Sequence, residues 1–316
     1  MQRTVGFIKK FVERTLRILL VCAGFFSIVA FFGQHDEIID ALANFRALFV
    51  IVFAIFALLF LGLRSWRDAF VALGLVLLNA STFLMFYIKD PTIAAADSMP
   101  VRVLAMNVWG GVNHDWDKTV DVIRKDQPDF IGLSEVTATW EKALRRSLTE
   151  YPYQVYEPNF GGIALLSKHP LKNSKVEYCG KVHRPRISAD INVGGQMIRV
   201  LVVHTIIPIV HDNNRDRELA EVGQEIKNGQ GPAIVFGDLN ITPWSKPFEK
   251  LLKTAELRDS ERGFGFQPSW HVGGPSFFPI DHCLVSKDFT VADRKTLQSV
   301  GSDHYPLLID LKLTRQ

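Results

Sequence analysis

The sequence has few cysteines, and they are not arranged as a metal or redox motif. Only three of the 316 residues are Cys, and none has the C-x-x-C spacing, which excludes a disulfide-stapled scaffold and a cysteine zinc site. Cys22 lies in an apolar run, so only Cys179 and Cys283 are left to form a disulfide. The sequence leaves open whether they do.

The larger part of the chain also lacks net charge. Residues 1–99 hold nine of the 36 Lys and Arg residues and seven of the 33 Asp and Glu residues. Residues 100–316 therefore hold 27 basic and 26 acidic residues. A balance of about +1 gives no electrostatic argument for long duplex DNA as the partner, because binding to its phosphates requires an excess of basic side chains.

Apolar residues are abundant, at 47% of the total, and they are concentrated at the start of the chain. Three runs, about 16–33, 47–63 and 69–88, approach the ~20 residues that span a hydrocarbon core. We therefore predict three transmembrane helices that place the chain in a lipid bilayer. A cleaved signal peptide is the alternative for the first run.

Charges beside the three runs predict their orientation. The first 17 residues and the loop 64–67 are basic, whereas the loop 34–44 contains three acidic residues. By the positive-inside rule the N-terminus is cytoplasmic, and three spans then place everything after Lys89 outside the cytoplasm. This predicts a multi-pass protein of the cell (inner) membrane whose larger part is extracytoplasmic, or periplasmic.

The polar residues of the third run, Asn79, Ser81 and Thr82, are interpreted as helix–helix contacts rather than as a transport site. A transporter or channel with an accessory domain would need ionisable residues inside the spans. The three runs supply only Arg17, near an end.

Composition changes after the third run. Residues 1–89 form the predicted anchor, and residues 90–100, with small residues and a Pro near each end, predict a linker. From 101 to 316 strand-like and helical runs alternate, which predicts an α/β domain large enough to bury its own core. The predicted strands are 101–107, 129–134, 153–157, 161–167, 187–193, 197–204, 233–237, 281–286 and 306–313, and the predicted helices are about 116–126, 138–148, 214–228 and 245–253.

Polar side chains stand at the ends of several apolar strands of this domain. Gly237-Asp238-Leu239-Asn240 follows the apolar run 233–236, and catalytic groups of open α/β sheets lie at such ends. Singly, each residue has a structural alternative: Asn107 as a turn residue, Glu135 in a salt bridge, His204 as a hydrogen-bonded core residue. The remaining motifs are Ile280-Asp281-His282 and Gly301-Ser302-Asp303-His304.

In their order along the chain, these motifs resemble the endonuclease/exonuclease/phosphatase superfamily, which has the DNase I-like fold. The resemblance covers 101–313 and none of 1–99. It implies a four-layered α/β sandwich of two sheets with helices outside, here preceded by the three transmembrane helices. It also implies hydrolysis of phosphodiester or phosphomonoester bonds with Mg²⁺ or Mn²⁺.

Metal ligands follow from the resemblance. It makes Glu135 the principal ligand, with Asn107 and Asp303 near the same ion. Oxygen ligands of this kind suit hard Mg²⁺, which keeps several waters and also binds a phosphate oxygen of the substrate.

Roles in hydrolysis follow in the same way. The resemblance implies that Asp238 orients or deprotonates the attacking water and that Asn240 holds the scissile phosphate. His304 and His204 both face the phosphate, and Asp281 fixes the tautomer of His304 and supports its positive form. Together the metal and two imidazoles would offset negative charge developing on phosphorus.

Substrate choice stays open at this stage. Arg186 falls where the family often places an Arg near the substrate, and Arg184 is an equal candidate. Two kinds of substrate are possible: nucleic acid, or the phosphoester of a lipid head group or small molecule. Tethering by the membrane anchor favours the lipid. A non-catalytic binding module would lack one of the motif residues, and all are present. No protein partner is predicted.

Overall fold

The structure, a computed structural model, describes residues 2–33, 36–89, 97–208, 214–271 and 273–315. The chain forms two compact units, residues 1–85 with 244–246, and residues 86–243 with 247–316. Of the predicted linker, 90–96 lies outside the described residues, whereas 98–100 already belong to the first strand. The domain limits at 89 and 100 therefore stay predictions.

The first unit consists of helices. They are α1 (Gln2–Val29), α2 (Glu37–Ala41), α3 (Arg46–Gly62) and α4 (Trp66–Ser81), with 3₁₀ turns at Leu42–Phe45 and Leu84–Phe86. Two continuous helical stretches among the described residues, Glu37–Gly62 and Trp66–Phe86, are long and apolar enough to cross a membrane.

The first predicted span is not confirmed. Helix α1 ends at Val29, so only 16–29 of the predicted 16–33 is helical, a rise of about 21 Å against a hydrocarbon core of about 30 Å. The extracytoplasmic placement of the second unit requires an odd number of spans, and it therefore stays a prediction.

Polar side chains join the helices of the first unit. The Asn79 amide donates to Ser27 Oγ at 2.8 Å, which confirms Asn79 as a helix–helix contact, whereas Ser81 and Thr82 donate to carbonyls of their own helix. The buried Arg46 guanidinium donates to Asn79 Oδ1 at 3.0 Å. Arg46 lies one residue before the second predicted run, so the sequence analysis did not count it among the ionisable residues there.

The second unit contains twelve described strands and four helices. The strands are β1 (Ser98–Asn107), β2 (Phe130–Ser134), β3 (Tyr153–Glu157), β4 (Ile163–Ser167), β5 (Leu171–Cys179), β6 (Arg184–Val193), β7 (Gln196–Val203), β8 (Ala233–Asp238), β9 (Arg258–Asp259), β10 (Asp281–Val285), β11 (Phe289–Thr296) and β12 (Leu307–Thr314). The helices are α5 (Trp116–Asp126), α6 (Ala138–Ser147), α7 (Asn214–Asn228) and α8 (Lys246–Ala255).

These strands form two six-stranded sheets, ordered β11-β12-β1-β2-β4-β3 and β5-β6-β7-β8-β10-β9. The central strands are apolar on both faces because each face meets another layer. In β1, Val103 packs into the core between the sheets while Leu104 packs against α5 and α6. Helices α7 and α8 cover the second sheet in the same way. This four-layered, DNase I-like α/β sandwich confirms the predicted fold class.

Three strands were missed in the sequence, and all lie towards the edges of the sheets. β11 is one edge of the first sheet, and β5 and β9 are the two edges of the second. Most side chains of β5 are exposed or half-buried, so the apolar signal that identifies a central strand is absent there.

The described cysteines form no disulfide. Cys179 and Cys283 are both buried and free, and burial raises the pKa of each thiol to about 12. Neither therefore carries a thiolate at neutral pH. Cys283 packs in the core between the sheets, whereas Cys179 Sγ accepts from the Arg186 guanidinium at 2.6 Å.

Candidate active site

The topology brings the motif residues to one edge of the sandwich. Parallel pairing of β1 with β2 and of β7 with β8 places the carboxyl ends of all four strands there. Asn107 ends β1, His204 follows β7 and Asp238 ends β8. Because β10 runs antiparallel to β8, its first residue, Asp281, pairs with Asp238.

The backbone at this edge is strained. Gly237 has φ of 135°, and a Cβ built on it would lie 2.2 Å from the Val203 carbonyl oxygen, so only glycine fits where β7 and β8 approach. Glu135 and Asn240 are left-handed, with φ of 58° and 46°. Such conformations cost free energy and are concentrated at functional sites.

Asn107 is the centre of the cluster. Its Nδ2 donates to Glu135 Oε1 at 2.9 Å and to Asp238 Oδ2 at 3.0 Å, and it lies 3.5 Å from His304 Nε2. Its Oδ1 accepts from the Trp109 N–H. One buried amide therefore holds two carboxylates that come from different sheets.

His304 and Asp281 form a buried charged pair. His304 Nδ1–H donates to Asp281 Oδ2 at 2.7 Å, and Nε2 lies 3.7 Å from Asp238. Burial alone would lower the pKa of His304, but the nearby Asp281 and Asp238 outweigh it and raise that pKa to about 10. At neutral pH His304 is an imidazolium directed at Asp238.

His204 differs from His304 in its charge. Its Nδ1 lies 2.9 Å from the Gly161 carbonyl oxygen and must carry the hydrogen, since a carbonyl only accepts. Burial lowers the pKa of His204 to about 4, and Asp238 opposes this only in part. Of the two histidines, His304 is therefore charged at neutral pH and His204 is neutral.

Asp238 is the buried carboxylate between these two histidines. Its Oδ1 accepts from the Asn240 backbone N–H at 2.9 Å, and burial raises the pKa of Asp238 against the opposing effect of His304. Asn240 is half-buried, and its amide donates to the Thr205 carbonyl at 2.8 Å. This turn fixes both side chains relative to the end of β7.

Two residues that hold the loop before β12 were not identified from the sequence. Ser302 donates to the Asn107 carbonyl at 2.8 Å and accepts from the His304 N–H. The Trp270 indole N–H donates to Asp303 Oδ2 at 3.0 Å. Nothing in the sequence context of Trp270 indicates this bond.

Among the described residues, one group of three has the spacing of a metal site. The ligand atoms of Asp238, Asp281 and His304 lie within 4.8 Å of one another. However, a protonated His304 offers no lone pair to a cation, and Asp281 accepts the hydrogen bond from His304 Nδ1. Of the predicted ligands, Glu135 and Asn107 are in contact and Glu135 is half-exposed. Their carboxylate and amide oxygens, with the carboxylate of Asp303, are the kind of donors that fit a hard divalent ion.

Arg186 does not reach the cleft. Its guanidinium lies 2.8 Å from Glu225, 3.4 Å from Glu221 and 3.7 Å from Glu177. Arg184, two residues earlier and on the same face of β6, lines instead a cavity of about 380 Å³ together with Glu135 and His204. Of the two arginines named from the sequence, Arg184 is thus the one that lines this cavity, and a substrate contact by either stays a prediction.

The Endonuclease/Exonuclease/phosphatase family matches residues 104–304. A UPF0294 protein of Vibrio parahaemolyticus is 28% identical over 70% of this chain and 80% of its own. Two solved structures share the fold. D. rerio TDP2 with a single-strand DNA product has a TM-score of 0.59 and 15% identity, covering 67% of this chain and 98% of that one. A Bacteroides thetaiotaomicron mannosyl-6-phosphatase has a TM-score of 0.58 and 15% identity, covering 67% of this chain and 99% of that one.

The family match includes strands of both sheets and every motif residue from Asn107 to His304. It covers more than half of the chain, and the fold and the cluster at the strand ends agree with it. The chain therefore belongs to the Endonuclease/Exonuclease/phosphatase family.

Proposed function

We propose that this protein is a divalent-metal-dependent phosphoesterase that hydrolyses phosphodiester bonds. The observation that carries the proposal is the Asn107 amide, which contacts Glu135 and Asp238 while the charged His304–Asp281 pair faces the same carboxylate. A half-exposed carboxylate, a buried base and a fixed imidazolium are the groups that metal-assisted attack of water on phosphorus requires.

Glu135, Asn107 and Asp303 would hold Mg²⁺ or Mn²⁺, which supplies Lewis-acid polarisation of a phosphoryl oxygen when bound. Asp238 accepts the proton of the attacking water, and its raised pKa makes it a stronger base than an exposed carboxylate. His304 donates through Nε2 to a phosphate oxygen, while Asp281 keeps the ring charged and oriented. Asn240 and the neutral His204 border the same phosphate position.

The membrane part of the proposal rests on the two apolar helical stretches. They anchor the protein in the cell membrane, and with the N-terminal helix as a third span the catalytic unit lies outside the cytoplasm. Protease treatment of intact spheroplasts tests this orientation: an extracytoplasmic catalytic unit is digested without lysis, and a cytoplasmic one is protected.

Hydrolysis by the full chain in detergent tests the activity. Bis-p-nitrophenyl phosphate is offered with Mg²⁺, with Mn²⁺ and with EDTA, and Glu135→Ala and His304→Ala are compared with the wild type. We expect metal-dependent turnover that both substitutions reduce at least ~100-fold. Metal binding without turnover of any phosphoester would favour the non-catalytic binding module.

Arg184 and Arg186 provide a matched pair of variants. We expect Arg184→Gln to raise KM for an anionic phosphodiester about tenfold, because a cation is lost from the cavity beside His204. Arg186→Gln leaves KM and kcat unchanged, since this guanidinium is engaged by three glutamates. Equal effects of the two substitutions on KM would contradict the assignment of Arg184.

A further inference from the structure

The rim of the catalytic cleft is apolar. Three loops supply much of the cavity that holds Glu135 and Arg184: the turn after β1 at Gly111, the loop 158–162, and the segment that begins at His204. Each loop also carries a large apolar side chain directed to solvent, one to three residues from a lining residue. They are Val112, 56% exposed, Phe160, 61% exposed, and Ile207, 52% exposed.

A fourth aromatic extends this rim. The Tyr178 ring, 45% exposed, meets Phe160 edge to face at 6.0 Å between centroids. Its hydroxyl donates to Glu157 at 2.8 Å, so the polar end of the ring is bound to the protein. Loop 158–162 is itself fixed to the cleft, because the Gly161 carbonyl contacts His204 and the Phe160 carbonyl accepts from Arg184.

Single exposed apolar residues are ordinary on a soluble surface. Apolar residues on three neighbouring loops around one polar cavity are not, and they indicate contact with an apolar phase or partner. The cavity lies beneath them with a glutamate, an arginine and a histidine. This arrangement matches a molecule with a phosphate at one end and hydrocarbon at the other.

Two further observations favour a bilayer over nucleic acid as the source of that molecule. Residues 100–316 hold 27 basic and 26 acidic side chains, so the second unit lacks the excess of basic charge by which proteins bind a phosphate backbone. The same chain carries two helical stretches long and apolar enough to cross a membrane.

We infer that the substrate is a lipid phosphoester, an inference that rests on the proposed function. The phosphate of the lipid enters the cleft, and the rim side chains enter the bilayer surface around it: Val112, Phe160, Tyr178 and Ile207. Burial of large apolar side chains in the interface would favour binding of a bilayer-held ester over a soluble one. The rim therefore determines specificity and takes no part in bond cleavage.

Two esters with the same reacting bond test the inference without knowledge of the natural head group. Methyl p-nitrophenyl phosphate is soluble, whereas hexadecyl p-nitrophenyl phosphate is presented in dodecyl maltoside micelles, and both release p-nitrophenol. The measured quantity is the ratio of kcat/KM for the hexadecyl ester to kcat/KM for the methyl ester, with the full chain in the same detergent. Single-stranded DNA is a third substrate.

The N-terminal helices bring every variant into the micelle equally, so differences in this ratio report the rim alone. We expect Phe160→Ser and Val112→Ser each to lower the ratio about tenfold. Met197→Ser is the control, because Met197 is also exposed (39%) but lies at the start of β7, far along the strand from His204. It should keep the wild-type ratio.

The outcomes separate the two proposals. Turnover of the methyl ester with a ratio unchanged in the rim variants, or preferred cleavage of the DNA, would overturn the lipid inference and leave the phosphoesterase proposal standing. Wild-type protein that turns over neither ester nor the DNA overturns both.

Discussion

Asp238→Asn lowers kcat for phosphodiester hydrolysis by about 10³-fold or more. The substitution keeps the shape of the side chain and its bond from the Asn240 N–H, but it removes the carboxylate that takes the proton of the attacking water. Loss of a positioned general base costs about 10²–10⁴ in rate, and here the same change removes the anion that faces His304. Steady-state rates with saturating substrate and metal measure it.

Asp293→Asn is the control for this result. Asp293 lies on the edge strand β11 with an exposed side chain, so its charge has no contact with the cleft and activity should match the wild type. Thermal unfolding checks that Asp238→Asn is folded; its melting temperature should fall, because the Asn107 amide loses its carboxylate acceptor. Full activity in a folded Asp238→Asn protein would remove Asp238 from the mechanism.

Asp281→Asn has the second largest expected effect, a loss of about 10²–10⁴ in kcat. The Asn side chain can still accept the Nδ1 hydrogen, but it carries no charge to hold His304 as an imidazolium. In serine proteases, the same replacement of the aspartate that orients the catalytic histidine has an effect of this order. Steady-state kcat with saturating substrate and metal measures the loss.

A double variant distinguishes a shared role from two separate ones. If Asp281 acts through His304, Asp281→Asn combined with His304→Gln loses little more activity than His304→Gln alone. Multiplicative losses would show that Asp281 acts on the reaction independently, through a contact other than the one at Nδ1.

The central strands were predictable because both of their faces are buried. β1, β2, β7 and β8 are apolar runs that end in a polar residue or, for β7, are followed by one, and their limits differ from the predicted ones by at most three residues. The edge strands β5 and β11 face solvent on most of their length. Their sequences are therefore as compatible with an exposed loop as with a strand, and no periodic pattern of apolar residues identifies them.

Within the site, the sequence indicated which residues meet but not how they are charged. Asn107, Glu135 and Asp238 converge because of strand topology, which the order of motifs reflects. Arg184 and Arg186 lie on the same face of one strand, so alternation could not separate them. The charge difference between His204 and His304 depends on three-dimensional neighbours, which no local pattern contains.

Binding of Mn²⁺ to the full chain, followed by electron paramagnetic resonance, tests the central claim most directly. We predict one tightly bound ion per chain, weakened about 10- to 100-fold in Glu135→Gln and unchanged in Glu141→Gln, whose carboxylate pairs with Arg145 on helix α6. Phosphodiester turnover should fall in parallel with the bound ion. Equal Mn²⁺ binding by all three proteins, with turnover that survives EDTA, would contradict a metal-dependent phosphoesterase centred on Glu135.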